Sequence, residues 1–260
     1  MTILEEIAEY TKGRIAKIKA SSDVERLKAA ALAAKAEEFR LEKALKQPGV
    51  SLIAECKKAS PSKGIIAEEF DYLAISQAYE EGGADAISCL TEPKYFLGSD
   101  DYLREIASTV KIPCLRKDFT VDEFMLYEAK LLGAAAVLLI VAILDKDELQ
   151  AYLQIADKLG LSALVECHDK AEIKTALAVG ARIIGVNNRN LKDFSVDFTN
   201  SLNLRENVPA EVLFVAESGI AGVEDAKKLS GMGIDAILVG EYLMKSTDKK
   251  AAIQGLKSVL

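Results

Sequence analysis

The chain changes texture close to residue 50. Before that point the apolar positions keep helical spacing: Leu4, Ile7, Ala8, Thr11, Ile15 and Ile18 recur at the 3.6-residue period, and a second run extends over 24–45. The Ser21-Ser22-Asp23 cluster between them is suited to capping a helix. Gln47-Pro48-Gly49 is a breaker. Beyond it, short β-rich apolar runs at 52–55, 86–90, 112–115, 135–140, 162–166, 182–186, 212–216 and 236–239 alternate with helical stretches. Each run is apolar on both faces, which marks a parallel strand covered by helices. Gly83, Gly133, Gly160, Gly180 and Gly233 each follow a helical stretch and precede a strand, where a helix end favours a left-handed residue. Eight βα units predict an α/β fold, a TIM (β/α)8 barrel over 47–260 with a helical extension over 1–46. No G-x-G-x-x-G follows any strand, which argues against a doubly wound dinucleotide-binding sheet.

Composition narrows the function classes. A chain of 260 residues suits one such barrel, and a hydrophobic fraction of 50% supplies a large core. With 33 Lys and Arg against 40 Asp and Glu and no basic stripe, a nucleic acid or anionic membrane is not an expected partner. The longest apolar run, 133–144, is too short to span a bilayer, and the N-terminus mixes acids and bases, so a cytoplasmic protein is expected. Cys56, Cys89, Cys114 and Cys167 lack a C-x-x-C spacing and each lies in or beside an apolar run, which predicts reduced, structural thiols and no metal site. His168 adjoins Cys167, and strand neighbours point to opposite faces, so a Cys/His dyad is not expected.

A TIM barrel carries its chemistry at the C-terminal ends of its strands, and here those ends are polar. In Ser51–Gly64, SLIAECKKASPSKG, alternation puts Ile53, Glu55 and Lys57 on one face. Strand three runs into Arg116, Lys117, Asp118 and Phe119, strand five into Glu166, and strand six into Asn187, Asn188 and Arg189. Strand seven is followed by Glu217, Ser218 and Gly219, and strand eight by Gly240 and Glu241. Any one of these charges alone reads as a solvated loop or strand edge; the strand ends together read as a site. Gly219 and Gly240 suit either tight turns or a phosphate held against backbone N–H groups.

Seven motifs in order resemble the indole-3-glycerol phosphate synthase family: IAECKKASPSKG at 53–64, LTEPKYFLGS at 90–99, LRKDF at 115–119, LLIVAIL at 138–144, LVECH at 164–168, GVNNRNL at 185–191 and AESGI at 216–220. The resemblance covers essentially the whole chain, extension included. It implies ring closure, decarboxylation and dehydration of 1-(2-carboxyphenylamino)-1-deoxyribulose 5-phosphate, with no metal or organic cofactor. By the same resemblance Lys117 matches the general acid, Glu166 the general base and Glu55 a second catalytic carboxylate. Lys57 matches a residue that holds the anionic substrate and assists proton transfer, and Asn187 one that orients these groups. Ser218, grouped with the catalytic residues, falls with Gly219 and Gly240 at the phosphate end, and Glu217 with the substrate-binding set. Ser60 and Arg189 match positions near polar groups of the substrate; Phe96, Phe119, Leu138 and Leu191 match an apolar wall around its ring. Glu241 stands where relatives carry a small hydroxyl residue, so only its backbone N–H is carried over, with its side chain expected to turn away from the phosphate.

Two other readings stay open. One is a Schiff-base aldolase with Lys117 or Lys57 as nucleophile; the other is a barrel that binds a phosphosugar without chemistry. A phosphorylated small molecule is the expected ligand and a monomer the expected state.

Overall fold

A computed structural model of the chain describes residues 2–35, 37–189, 195–197 and 199–260. Eight strands, β1 (Ser51–Cys56), β2 (Ala86–Leu90), β3 (Cys114–Lys117), β4 (Ala136–Ile140), β5 (Ser162–Cys167), β6 (Ile183–Asn187), β7 (Leu213–Glu217) and β8 (Ala236–Val239), close into a parallel barrel in which each pairs with its sequence neighbours and β8 pairs with β1. Strand alternation divides the core in two. Ile53, Leu115, Leu138, Leu164, Ile183, Val215 and Leu238 fill the barrel, while Leu52, Val137, Leu139, Val165, Ile184, Phe214 and Ile237 pack outward. Each fully buried side chain of this kind contributes roughly 1.5–3 kcal/mol. This double-sided burial is what the continuous apolar runs encode, and the TIM barrel read from them is the fold observed.

Strand ends differ from the sequence pattern in one direction. β3 occupies Cys114–Lys117 rather than 112–115, and β6 and β7 run on to Asn187 and Glu217. Pro113 has no N–H for a ladder, and the Ile112 N–H is taken by Glu80 Oε1 at 3.1 Å. Lys117, Asn187 and Glu217 are therefore strand residues facing inward, held more rigidly than loop residues would be.

The N-terminal segment forms α1 (Ile3–Ala20), α2 (Val24–Ala33) and α3 (Arg40–Leu45). A capping box joins Thr2 and Glu5 at the start of α1, and Asp23 Oδ1 accepts from the Arg26 N–H at 3.0 Å at the start of α2. The second helical run does not continue to Leu45: it breaks after Ala33, and Phe39 takes a left-handed conformation before α3 begins. That break lets α3 seal the barrel floor, where Leu41 and Leu45 pack with Ala86, Leu115, Ala136, Ile183, Leu213 and Ala236. Glu42 on α3 receives the Arg182 guanidinium at 2.9 Å. At the opposite end, α1 places Leu4 and Ile7 against the barrel interior, and Arg14 reaches Asp118 at 2.9 Å.

The remaining helices are α4 (Tyr72–Gly82), α5 (Asp100–Thr109), α6 (Phe124–Leu131), α7 (Lys146–Leu159), α8 (Lys170–Ala178), α9 (Thr199–Arg205), α10 (Val223–Leu229), α11 (Glu241–Lys245) and α12 (Lys249–Lys257). Gly83 and Gly160 end α4 and α7 in the left-handed conformation that their place between helix and strand predicts. Among the described residues no helix is long and apolar enough to cross a membrane.

Candidate active site

The C-terminal mouth of the barrel holds a cavity of about 700 Å³. Every residue that the family resemblance assigns to the site lines it except Leu191, which lies outside the described residues, while Arg116 and Asn188 at the same strand ends do not. Lys117 is at its centre: Nζ donates to Glu166 Oε2 and to Glu217 Oε2, both at 2.9 Å. Parity brings the three together, since Lys117, Glu166 and Glu217 each point inward near the ends of β3, β5 and β7. Between the last two, β6 contributes Gly185, where a Cβ would collide with Glu217 Oε1 and press on Leu164. The glycine makes room for the carboxylate. Asn187 Nδ2 donates to Glu166 Oε1 at 3.2 Å, and its own oxygen accepts from the Arg189 N–H at 3.0 Å. Glu217 Oε1 is buried and has no hydrogen-bond partner among the described residues.

The two carboxylates are pushed in opposite directions. Burial works against the charge on Glu166, but Lys117 and His168 outweigh it and hold the carboxyl well below its ordinary range. Burial dominates at Glu217; although Lys117 opposes it, the negative charge of Glu166 adds to it, and Glu217 is pushed up to about 7. For Lys117 burial favours the neutral amine, yet Glu166, Glu217 and Glu55 together hold it charged, well above the usual lysine value. The centre is thus an ammonium shared by one firmly ionised carboxylate and one that titrates near neutrality.

Glu55 and Lys57 form a second pair, with Lys57 Nζ donating to Glu55 Oε1 at 2.5 Å. Glu55 is 4% exposed, so this is not the solvated edge its composition also allowed. Gly240 faces the pair: a Cβ there would collide with Glu55 Oε1 and sit 3.1 Å from Lys57 Nζ. Its φ of −121° is ordinary, so Gly240 is required by the close approach of these side chains and not by a turn. Gly219 does occupy a turn, following Ser218, and both have positive φ, 87° and 67°. For Ser218 that conformation is a strained one.

Around this polar floor the mouth is apolar on one side and cationic on the other. Phe96 and Phe119 pack with ring centroids 6.2 Å apart beside Leu138. Buried Glu92 fixes the Phe96 loop by accepting from the Tyr95 and Phe96 N–H groups at 2.6 and 3.0 Å, and Tyr95 donates to Glu6 on α1 at 2.8 Å. A short hairpin, Ala59–Ser60 with Gly64–Ile65, presents Ser60 and Lys63 to the cavity. Glu241 also lines the cavity, and Lys245 at 2.6 Å and Lys63 at 3.8 Å draw its carboxylate, so it stays on the rim and does not leave the site. Sequence reasoning missed Ile3, Leu4 and Ile7 as cavity lining, because an amphipathic helix does not disclose what its apolar face covers. It also missed Lys63, Lys245 and His168. For His168 the signal was available: it is two residues from Glu166 and so shares its face.

The family model for indole-3-glycerol phosphate synthase matches residues 4–256. The chain belongs to the indole-3-glycerol phosphate synthase family. A synthase of that name from Ruminiclostridium cellulolyticum is 51% identical over 256 residues, 98% of each chain. One from Lacticaseibacillus casei is 59% identical over 213 residues, 82% of each. The family match takes in α1 as well as the barrel. Among solved structures, 3-hexulose-6-phosphate synthase from Salmonella typhimurium superimposes with a TM-score of 0.68 at 15% identity, over 81% of this chain and 98% of that one, a likeness of fold alone.

Proposed function

We propose that the protein is an indole-3-glycerol phosphate synthase, a carboxy-lyase that closes, decarboxylates and dehydrates 1-(2-carboxyphenylamino)-1-deoxyribulose 5-phosphate. The observation that carries this reading is Lys117, held as an ammonium between Glu166 and Glu217 at the base of a cavity with an apolar wall and a cationic rim. Lys117 gives a proton to the sugar carbonyl oxygen as the ring carbon attacks; carbon dioxide leaves and its bonding pair stays in the ring. The hydroxyl then departs as water with a second proton, while Glu166, the carboxylate kept ionised, removes one proton from the new ring. Asn187 orients Glu166, Lys57 holds the substrate's anionic groups and assists proton transfer, and Glu55, paired with Lys57, is a second catalytic carboxylate. Phe96 and Phe119 take the aromatic ring, and the Ser218–Gly219 turn takes the phosphate. We further assign the first 46 residues two tasks: α1 covers the site and excludes water, and α3 closes the floor.

An assay of indole product fluorescence with the authentic substrate tests this. Glu166→Gln keeps the shape and removes the base, so kcat falls by roughly 10²–10⁴ in a folded protein; an unchanged kcat refutes the assignment. An aldolase-type lysine would need the neutral amine, which the three carboxylates around Lys117 oppose. Borohydride treatment with substrate should accordingly leave the intact mass without a substrate adduct.

A further inference from the structure

His168 follows the end of β5, and no catalytic or substrate-binding role named above falls to it. It stands between two carboxylates: Nδ1 is 3.0 Å from Glu172 Oε2 and Nε2 is 3.3 Å from Glu166 Oε1. Glu172 sits in the first turn of α8, and the same Oε2 accepts from the His168 backbone N–H at 2.7 Å, so ring and backbone are clamped by one oxygen. The Nε2 contact is close enough for an ion pair but too poorly aligned for a full hydrogen bond. A neutral ring carries one N–H and one lone pair, so it would have to aim a lone pair at an anion on one side. Only the imidazolium satisfies both neighbours. Burial favours discharge, yet the two carboxylates outweigh it and push the ring up to about 10.

We propose that His168, kept charged by Glu172, is a positioning residue for Glu166. It fixes Glu166 Oε1 from the side opposite Lys117 and keeps the carboxylate ionised at the moment Lys117 turns to the substrate. The inference rests on the reading of Glu166 as the base. Other charged groups near the ring belong to the polar cavity on its outer side, which Glu5 of α1, Asp169 at the start of α8, Arg189 after β6 and Asp197 line with it. Three of those four are acidic and favour the charged ring as well.

The chain contains one histidine, so its ring resonances can be followed by NMR without assignment ambiguity. The wild-type ring should remain protonated well past neutrality and titrate near 10. Glu172→Gln and Glu166→Gln should each lower that value by roughly one pH unit or more. A wild-type titration near the ordinary histidine value of about 6.5, or one indifferent to both substitutions, overturns the proposal. In activity, His168→Gln keeps a donor near Glu166 and removes the charge. Losing a cation raises the pKa of Glu166, so the acidic limb of the kcat profile moves up by roughly one pH unit with KM unchanged. A uniform loss at all pH values, or an unmoved limb, also overturns it. If Glu166→Gln leaves kcat intact, the base assignment fails and the positioning role goes with it, while the titration still reports separately on the ion pair.

Discussion

Arg116 and Lys117 are consecutive residues of β3, both cationic and each bonded to two carboxylates, Arg116 buried and Lys117 partly so, yet they face opposite sides of the barrel wall. Arg116 points outward beneath the helices. Its Nη2 meets Asp100 and Glu128, each at 2.7 Å, Nη1 donates to the Met125 carbonyl at 2.9 Å, and Nε donates to Thr91 Oγ1 at 3.3 Å. Every guanidinium nitrogen has a partner, and Arg116 lines neither of the two cavities at the barrel mouth. Lys117 points inward, and its cluster is incomplete: Glu217 Oε1 lacks a partner, and all three side chains border the cavity. Buried charge alone therefore does not mark a site. Buried charge with an unmet hydrogen bond and access to a ligand does, because the missing partner is what the substrate can supply.

The largest effect should come from Lys117. Lys117→Met should lower kcat by roughly 10³-fold or more, because the proton donor and the charge beside the developing oxyanion are lost together. Glu166 and Glu217 can then share a proton, so the variant should still fold. Lys117→Arg keeps the charge but not the acidity, and should bind substrate in calorimetry while failing to turn it over. Arg116→Met should do the reverse. It strands Asp100 and Glu128, so it should cost roughly 3–5 kcal/mol in urea unfolding, with kcat per folded molecule changed only severalfold. Loss of activity without loss of stability at Arg116 would erase the distinction between the two clusters.

The same pair explains what could be read from the sequence. Apolar runs on both strand faces encode the barrel, and helix-to-strand glycines mark its joints, because those signals are local. The strands run past their apolar stretches, where Arg116, Lys117, Asn187 and Glu217 look like loop residues; a polar residue held in a barrel strand has the same letter as one in water. The break between α2 and α3 was hidden for a related reason, since apolar residues at 24–45 keep helical spacing while two different surfaces claim them. Site residues were legible through parity at strand ends and family motifs, but the motifs could not tell Gly240, which clears space for Glu55 and Lys57, from a turn glycine. Nor could they connect α1 to the cavity, because contacts between α1 and the loops after β2 and β3 join residues about a hundred positions apart.

The smallest and most discriminating test concerns the incomplete partner in the inner cluster. Burial pushes Glu217 up to about 7 in the folded chain, against 4.5 for an ordinary glutamate. A group with a raised folded pKa binds its proton more tightly folded than unfolded. Its stabilising contribution is full below about pH 4.5 and is lost as pH rises through about 7. The wild-type chain should thus lose stability from this group across that window, while Glu217→Gln, with nothing to titrate there, should not. Measured by urea unfolding at either end of that window, the stability difference should move in favour of Glu217→Gln by about 1–3 kcal/mol as pH rises. A difference that stays flat would mean that Glu217 is charged throughout. The inner cluster would then carry a second ionised carboxylate whose Oε1 is still unpartnered, and what separates Lys117 from Arg116 would reduce to that unmet hydrogen bond and access to the cavity.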